Sequence, residues 1–106
     1  MPARDPSVLR LSVRHLEMVR VLLRQYLPDA EVWAYGSRVT GGGHEASDLD
    51  LVGRNPSDTE MEIGGLSRLR DAFVESNLPI RVEILDWSRI PMSFQREIEK
   101  EYVVLH

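Results

Sequence analysis

Cysteine is absent from this sequence of 106 residues. Its absence excludes disulfide scaffolds, zinc sites built from thiolates and catalysis by a thiol, and it favours a reducing, cytoplasmic compartment. Histidine is scarce, and the 3 histidines (His15, His44 and His106) lack the spacing of a metal-binding motif. A zinc enzyme is therefore not expected.

Long apolar runs and an excess of positive charge are also lacking. No run approaches the roughly 18 apolar residues that would indicate a membrane helix, and residues 1–8 lack the apolar segment of a secretory signal. The formal net charge of −4 does not favour direct nucleic-acid binding. Apolar residues make up 42% and charged residues 28%, which predicts a single globular domain over 1–106.

Hydrophobic periodicity predicts a layered α/β domain. Apolar residues at helical spacing predict helices at about 12–27, 59–77 and 93–101. Short segments rich in β-branched and aromatic residues predict strands at 31–36, 47–53 and 79–87. Because helices and strands alternate along the chain, we expect a small mixed sheet with helices on one face.

The first 24 residues are locally basic, with five arginines against Asp5 and Glu17. Such a bias is most often a solvated helix face. The alternative is a docking surface for an acidic partner. Opposite charges on the two proteins would then accelerate their association.

Two strands carry acidic residues in an alternating pattern. In "SDLDLVG", Leu49 and Leu51 point to one side of the strand, and Asp48 and Asp50 point to the other. The same alternation in "PIRVEILDW" separates Ile80, Val82 and Ile84 from Arg81, Glu83 and Leu85. If the aliphatic residues face the helices, then Asp48, Asp50 and Glu83 share the uncovered face.

Carboxylates in this arrangement suit a hard divalent cation. Asp48 and Asp50, two residues apart on a strand, have Cα atoms about 7 Å apart, so their oxygens can converge on an ion. Oxygen-only ligands favour Mg²⁺ or Mn²⁺ over zinc. Glu83 would complete a site for two metals or act as a base, and paired metals promote in-line phosphoryl displacement. A polar strand edge is the alternative interpretation of Asp48 and Asp50 alone.

The segment "GSR" that precedes the acids suits phosphate. Gly36 has no Cβ, so backbone amides can approach a ligand closely, and Ser37 can cap a helical turn while its hydroxyl contacts a phosphate oxygen. Arg38 could add a charge-assisted fork to the same phosphates. The alternatives are a simple N-cap for Ser37 and a solvated surface charge for Arg38. Gly41-Gly42-Gly43, with the neighbouring His44 and Glu45, predicts a flexible, exposed loop.

These motifs resemble a known signature. "GSRVTGGGHEASDLDLV" resembles the G-S-x10-D-x-D pattern of the nucleotidyltransferase superfamily that includes DNA polymerase beta, and "VEILDW" resembles the third-acid strand of its minimal branch. The resemblance implies a polymerase beta-like fold. It also implies that Gly36 and Ser37 hold the β- and γ-phosphates of a nucleoside triphosphate, that Asp48 and Asp50 hold Mg²⁺, and that Glu83 is the third acid.

Two positions depart from the family pattern. The third acid is Glu83 where aspartate is commoner, so its carboxylate is one methylene further from the backbone. Thr40 stands where a second basic residue is frequent, which predicts weaker phosphate binding. Asp86 points to the opposite side of its strand from Glu83, and it is interpreted as a cap for the turn at Trp87 and Ser88.

The resemblance implies transfer of a nucleoside monophosphate, AMP from ATP, to a protein hydroxyl. Because the chain is short, we expect the acceptor surface to come from another polypeptide. In the minimal branch that polypeptide is commonly a helical HEPN-class toxin, and the transferase acts as its antitoxin. The alternatives are a binding module that masks its partner without catalysis and a nucleotidyltransferase for small molecules of the aminoglycoside type. The sequence leaves the oligomeric state open, a homo-oligomer included.

Overall fold

A computed structural model of the protein describes residues 3–41 and 48–106. Five strands form one sheet: β1 (Ala3–Arg4), β2 (Glu31–Tyr35), β3 (Leu49–Arg54), β4 (Val82–Asp86) and β5 (Tyr102–Val104). The order across the sheet is β1-β5-β2-β3-β4. β2 runs antiparallel to both of its neighbours, whereas β3 and β4 are parallel, as are β1 and β5. The predicted mixed sheet is therefore confirmed.

Four α-helices accompany the sheet: α1 (Val13–Tyr26), α2 (Ser37–Thr40), α3 (Leu66–Glu75) and α4 (Met92–Lys100). Single 3₁₀ turns cover Pro6–Val8 and Trp87–Arg89. None of the helices in the described ranges combines the length and hydropathy needed to cross a bilayer.

α1 closely matches its predicted bounds. Its N-terminus is capped by the Ser12 hydroxyl, which accepts a hydrogen bond from the His15 N–H at 3.2 Å. The helix ends before Pro28, whose ring cannot continue it. Val19 and Leu23 are fully buried against the sheet because they lie on the same helical face.

α3 is shorter than periodicity predicted, because Gly65 stops it at its N-terminal end. Gly65 has φ +87°, a left-handed conformation, and a Cβ there would lie 2.6 Å from the Tyr26 carbonyl oxygen. The prediction that the helix begins near Thr59 was therefore wrong. Ile63, assigned to that helix, instead packs over Gly53 of β3, where an added Cβ would meet its Cδ1 at 2.4 Å.

The sheet has an apolar cluster on each face. The larger cluster lies under α1 and α3, as expected for helices on one face of the sheet. The smaller cluster joins Trp33, Val52 and Trp87 to Ile98 of α4 on the opposite face. α4 departs from the predicted placement because Phe94 and Ile98, one turn apart, bury themselves against these aromatic side chains.

Aromatic contacts hold this second cluster together. Trp33 stacks on Tyr102 at a centroid distance of 3.8 Å and meets Trp87 edge-on at 5.3 Å. The Arg54 guanidinium carbon lies 4.4 Å from the Trp33 ring centre and 4.8 Å from that of Trp87. Trp33 and Trp87 are therefore core residues. The acidic end of the same sheet face lies outside this aromatic cluster.

Candidate functional site

The central feature of the site is a row of three side chains across three neighbouring strands. The strand register pairs Tyr35 of β2 with Asp50 of β3, and Asp50 with Glu83 of β4. Residues paired in this way project from the same face of a sheet. Asp48 immediately precedes β3 and is exposed. The structure therefore brings Asp50 and Glu83 together on one face, as the alternation predicted.

The carboxylates of this row repel one another. Burial raises the pKa of Asp50, and the negative charges of Glu83 and then Asp48 raise it further. The pKa of Tyr35 rises to about 12, first through burial and then through the charges of Asp50 and Glu83. The site therefore has a negative potential that a bound cation would relieve.

Gly36 joins the phosphate-binding candidate to the acids. Its φ of +81° and ψ of −157° lie in a region that essentially only glycine occupies. A Cβ at position 36 would lie 2.8 Å from Oδ2 of Asp50, closer than two such atoms can approach. The backbone at Gly36 therefore packs directly against the Asp50 carboxylate.

Ser37 is the first residue of α2 and does not cap it. The cap position is Gly36, whose carbonyl accepts the N–H groups of Val39 and Thr40, both at 3.0 Å. The prediction of Ser37 as an N-cap was wrong because the glycine conformation at position 36 starts the helix one residue earlier.

Arg38 lies inside the protein. Its exposed fraction is 2%, and its Nη1 donates to the carbonyl of Arg10. The Arg10 N–H returns a hydrogen bond to the Arg38 carbonyl at 3.3 Å. The interpretation of Arg38 as a solvated charge was therefore wrong. Its guanidinium ties α2 to the segment before α1, and its predicted contact with phosphate stays a prediction.

Glu83 is half-exposed and already has a cationic neighbour. Its Oε1 lies 2.9 Å from Nη2 of Arg81, two residues earlier on the same face of the strand. Within residues 3–41 and 48–106, no three acidic or histidine side chains form a ready metal-binding cluster. Asp48, Asp50 and Glu83 nevertheless fit a hard divalent ion chemically, because they offer only oxygen ligands and repel one another without a cation.

Asp86 lies on the opposite face of β4 and is buried. One carboxylate oxygen accepts from the Ser88 N–H and hydroxyl, at 3.0 and 2.7 Å. The other accepts from the Ile63 N–H at 3.3 Å. The prediction that Asp86 caps the turn at Trp87 is confirmed.

Tyr35 belongs to the same row, although the sequence analysis did not single it out. It is half-buried beside Asp50 and meets Phe94 edge-on at 5.7 Å. A cavity of about 420 Å³ opens beside it, bordered by Gly36 and Thr40. The signal was present in "EVWAYG", because Tyr35 alternates with the buried Ala34 and directly precedes Gly36.

Residues 42–47, where the sequence predicts a loop, lie outside the described residues. The predictions for Gly42, Gly43, His44 and Glu45 therefore stay predictions. Gly41, the last described residue before them, has φ +95° and ends α2 in a left-handed conformation.

Comparisons with known proteins identify the family of this chain. Residues 16–106 match the family model of the nucleotidyltransferase domain. A protein of Haemophilus influenzae described as "Probable protein adenylyltransferase MntA" is 41% identical over 97 residues, which cover 92% of this chain and 83% of that protein.

A solved structure has the same fold. The crystal structure of a toxin-antitoxin with AMP-PNP superposes with a TM-score of 0.66 at 21% identity, covering 86% of this chain and 72% of that one. The family match includes β2, β3 and β4, which carry Gly36, Asp50 and Glu83. The chain belongs to the nucleotidyltransferase family and, with its Haemophilus relative, to the minimal branch of that family.

Proposed function

We propose that the protein transfers AMP from ATP to a hydroxyl group of a partner protein, with Mg²⁺ or Mn²⁺ as the metal. The observation that carries this proposal is the packing of Gly36 against Asp50, with Glu83 next to Asp50 on the adjoining strand. This arrangement places a triphosphate-binding segment beside the acids that would assist its reaction.

The donor side of the site is built from Gly36 and Ser37. The open backbone at Gly36 lets the triphosphate approach the sheet closely. The hydroxyl of Ser37, the first residue of α2, would contact the β- and γ-phosphates. Arg38 would affect phosphate binding by fixing the position of α2, because its guanidinium donates to the Arg10 carbonyl.

Asp48 and Asp50 would hold the divalent ion, and Glu83 would either bridge to it or take the proton of the acceptor. When bound, the ion neutralises charge on the phosphates and on the acids. Asp50 is the most constrained of the three, since it is enclosed by Gly36, Glu83 and Tyr35. Its pKa is raised by burial and then by the charges of Glu83 and Asp48, and a bound cation would offset both effects.

The acceptor side of the site is Glu83, at the outer strand of the sheet. The acceptor hydroxyl oxygen forms a bond to the α-phosphorus of ATP, and the bond from that phosphorus to the bridging oxygen breaks. Pyrophosphate leaves with the bond's electron pair, and the hydroxyl proton passes to Glu83. A base must lie within hydrogen-bond reach of that hydroxyl. The half-exposed Glu83 carboxylate is accessible to an incoming acceptor.

A protein acceptor is supported by the relatives. The Haemophilus relative is described as a probable protein adenylyltransferase, and the solved structure with the same fold is a toxin-antitoxin with AMP-PNP. We therefore propose that this chain is the antitoxin of such a pair and that its partner is a helical HEPN-class toxin in the cytoplasm. Masking without catalysis and transfer to a small molecule are the rival functions.

One experiment separates these functions. The purified protein is incubated with α-labelled ATP, Mg²⁺ and a lysate of its source, and the label is followed into protein and small-molecule fractions. The proposal predicts a labelled protein band that disappears when Asp48→Asn and Asp50→Asn are combined. A labelled small molecule would favour the aminoglycoside-type reaction, and no label would favour masking.

A further inference from the structure

A cavity of about 410 Å³ runs along the outer edge of β4, between that strand and α3. Its lining includes Arg70, Phe73 and Val74 of α3 and most of residues 78–85. Glu83 belongs both to this lining and to the carboxylate row. The cavity is therefore continuous with the proposed acceptor side of the site.

β4 is an edge strand, and its outward peptide groups belong to Val82 and Ile84. The Leu49 N–H donates to the Arg81 carbonyl at 2.9 Å, so the peptide groups of Arg81 face β3. Peptide groups alternate in direction along a parallel strand, which turns those of Val82 and Ile84 away from β3. In the part of the chain that the structure describes, no strand pairs with this outer edge.

The rim of the cavity is basic although the protein has a net charge of −4. Arg70 and Arg81 are both exposed, and Arg81 pairs with Glu83, the only acid in the described lining, which leaves the rim one positive charge in excess. Nη2 of Arg70 donates to the Ile84 carbonyl at 2.7 Å, which fixes the guanidinium over the strand edge. A guanidinium has several further N–H donors, so the anchored group can also bind a carboxylate. This local charge favours an acidic ligand.

We infer that the β4 edge docks an extended, acidic segment of the acceptor protein, which adds a strand to the sheet; this inference rests on the proposed function. The incoming residue in line with Glu83 donates its N–H to the Val82 carbonyl and accepts the Ile84 N–H, which leaves the Ile84 carbonyl to Arg70, and the cavity selects side chains. The added strand lies roughly 4.8 Å beyond β4, so the residue in line with Glu83 projects from the carboxylate face. Its two neighbours project toward α3.

The edge therefore selects a sequence pattern. A hydroxyl-bearing residue stands beside Glu83, an apolar residue on each side enters the cavity next to Phe73 and Val74, and acidic residues further out meet Arg70 and Arg81. Tyrosine suits the central position because its ring carries the hydroxyl across the distance to the neighbouring strands.

The docking is tested by nuclear magnetic resonance on the whole ¹⁵N-labelled chain. The probe is a synthetic peptide with tyrosine between two valines and aspartates at both ends, and the control peptide has lysines in place of the aspartates. The amide signals of Val82 and Ile84 are expected to shift with the acidic peptide and not with the basic one. Shifts confined to α1, or no shifts at millimolar peptide, would overturn the inference.

Matched variants sharpen the test. Val82→Pro removes an outward N–H at the first residue of the edge strand, where proline is tolerated, and leaves the bonds to β3 intact. Val74→Glu places a like charge in the binding groove at a side chain that is 85% exposed, and Val13→Glu on α1 is its control at 84%. Both groove variants are expected to weaken peptide binding by roughly tenfold, and Val13→Glu to leave it unchanged. Wild-type peptide affinity in both groove variants would overturn the inference.

Failure of the docking and failure of the proposed function have different signatures. Peptide binding is read without ATP, so it stands or falls whether or not AMP is transferred. Peptide shifts at Val82 without AMP transfer to any acceptor would support the docking edge and contradict the proposed reaction. Transfer to a protein with no shift at this edge would do the reverse.

Discussion

At the residue scale, the site depends on the close packing of the Gly36 backbone against the Asp50 carboxylate, which leaves no room for a side chain at position 36. Gly36→Ala adds a methyl group 2.8 Å from Oδ2 of Asp50 and forces alanine into a glycine-only conformation. The variant is expected to lose about 1–3 kcal/mol of unfolding free energy, together with affinity for Mg²⁺-ATP. Urea unfolding and calorimetric titration measure the two effects.

Gly64→Ala is the matched control for that substitution, because an added Cβ at Gly64 would meet no atom within 4 Å. It should leave both stability and nucleotide affinity close to the wild-type values. Equal effects of the two substitutions would contradict the packing argument at Gly36.

Asp50 carries a cost in stability that depends on pH. Its folded-state pKa is raised by burial and by Glu83 and Asp48, so the folded chain holds the proton more tightly than the unfolded chain does. The stability linked to this proton is fully present below the unfolded pKa and is lost as the pH rises through the folded pKa. Asp50→Asn removes this loss because asparagine does not ionise.

The Asp50→Asn variant should therefore melt at a higher temperature than the wild type at neutral pH. The difference in melting temperature should shrink as the pH falls. It should vanish at about pH 3, where Asp50 is protonated. Melting curves without metal, recorded across this range, measure it. A difference that is independent of pH would show that repulsion among the carboxylates is not its cause.

At the scale of secondary-structure elements, α2 begins at Ser37 with Gly36 as its cap. Ser37→Ala should therefore change the stability by less than about 0.5 kcal/mol. The loss of a hydrogen bond to a charged phosphate should weaken ATP binding by roughly tenfold. Melting temperature and nucleotide affinity, measured on the same preparation, distinguish the two roles. A large drop in stability with unchanged affinity would return Ser37 to a structural role.

The strands at the site were predictable because alternation in "SDLDLVG" and "PIRVEILDW" fixes which side chains share a face. The residue at which α3 begins was not predictable. It depends on the close approach of the Gly65 backbone to the Tyr26 carbonyl, which is far away in sequence. The positions of α4 and β5 on the sheet depend on the aromatic cluster around Trp33. That cluster joins residues far apart in the sequence, so no local pattern encodes it. The burial of Arg38 likewise depends on a distant partner, Arg10.

The carboxylates and their repulsion were predictable from sequence, but the pairing of the strands that carry them was not. Spacing alone placed Asp48, Asp50 and Glu83 on one face. The register that puts Tyr35 and Glu83 on either side of Asp50 depends on how three strands pair. Burial in the folded protein raises the pKa values of Tyr35 and Asp50, and the neighbouring carboxylates that strand pairing brings close raise them further.

For the whole molecule, the donor and acceptor sides of the site lie on different strands. Gly36 and Ser37 follow β2, and Glu83 lies on the edge strand β4. Glu83→Gln should therefore lower AMP transfer by about 10²–10⁴-fold, the usual contribution of a general base, while ATP affinity stays within a few-fold of the wild type. Single-turnover rates and calorimetric titration provide the two numbers. Equal losses of rate and affinity would place Glu83 on the donor side instead.

In the proposed function, Asp48 and Asp50 serve catalysis on a partner protein. The most direct test is the intact mass of an HEPN-class partner co-expressed with the wild-type chain or with the combined Asp48→Asn and Asp50→Asn variant. The partner is expected to gain the mass of at least one AMP moiety with the wild type and none with the variant. The variant is expected to remain folded. An unmodified partner that is neutralised equally by both chains would contradict the claim and establish masking as the function.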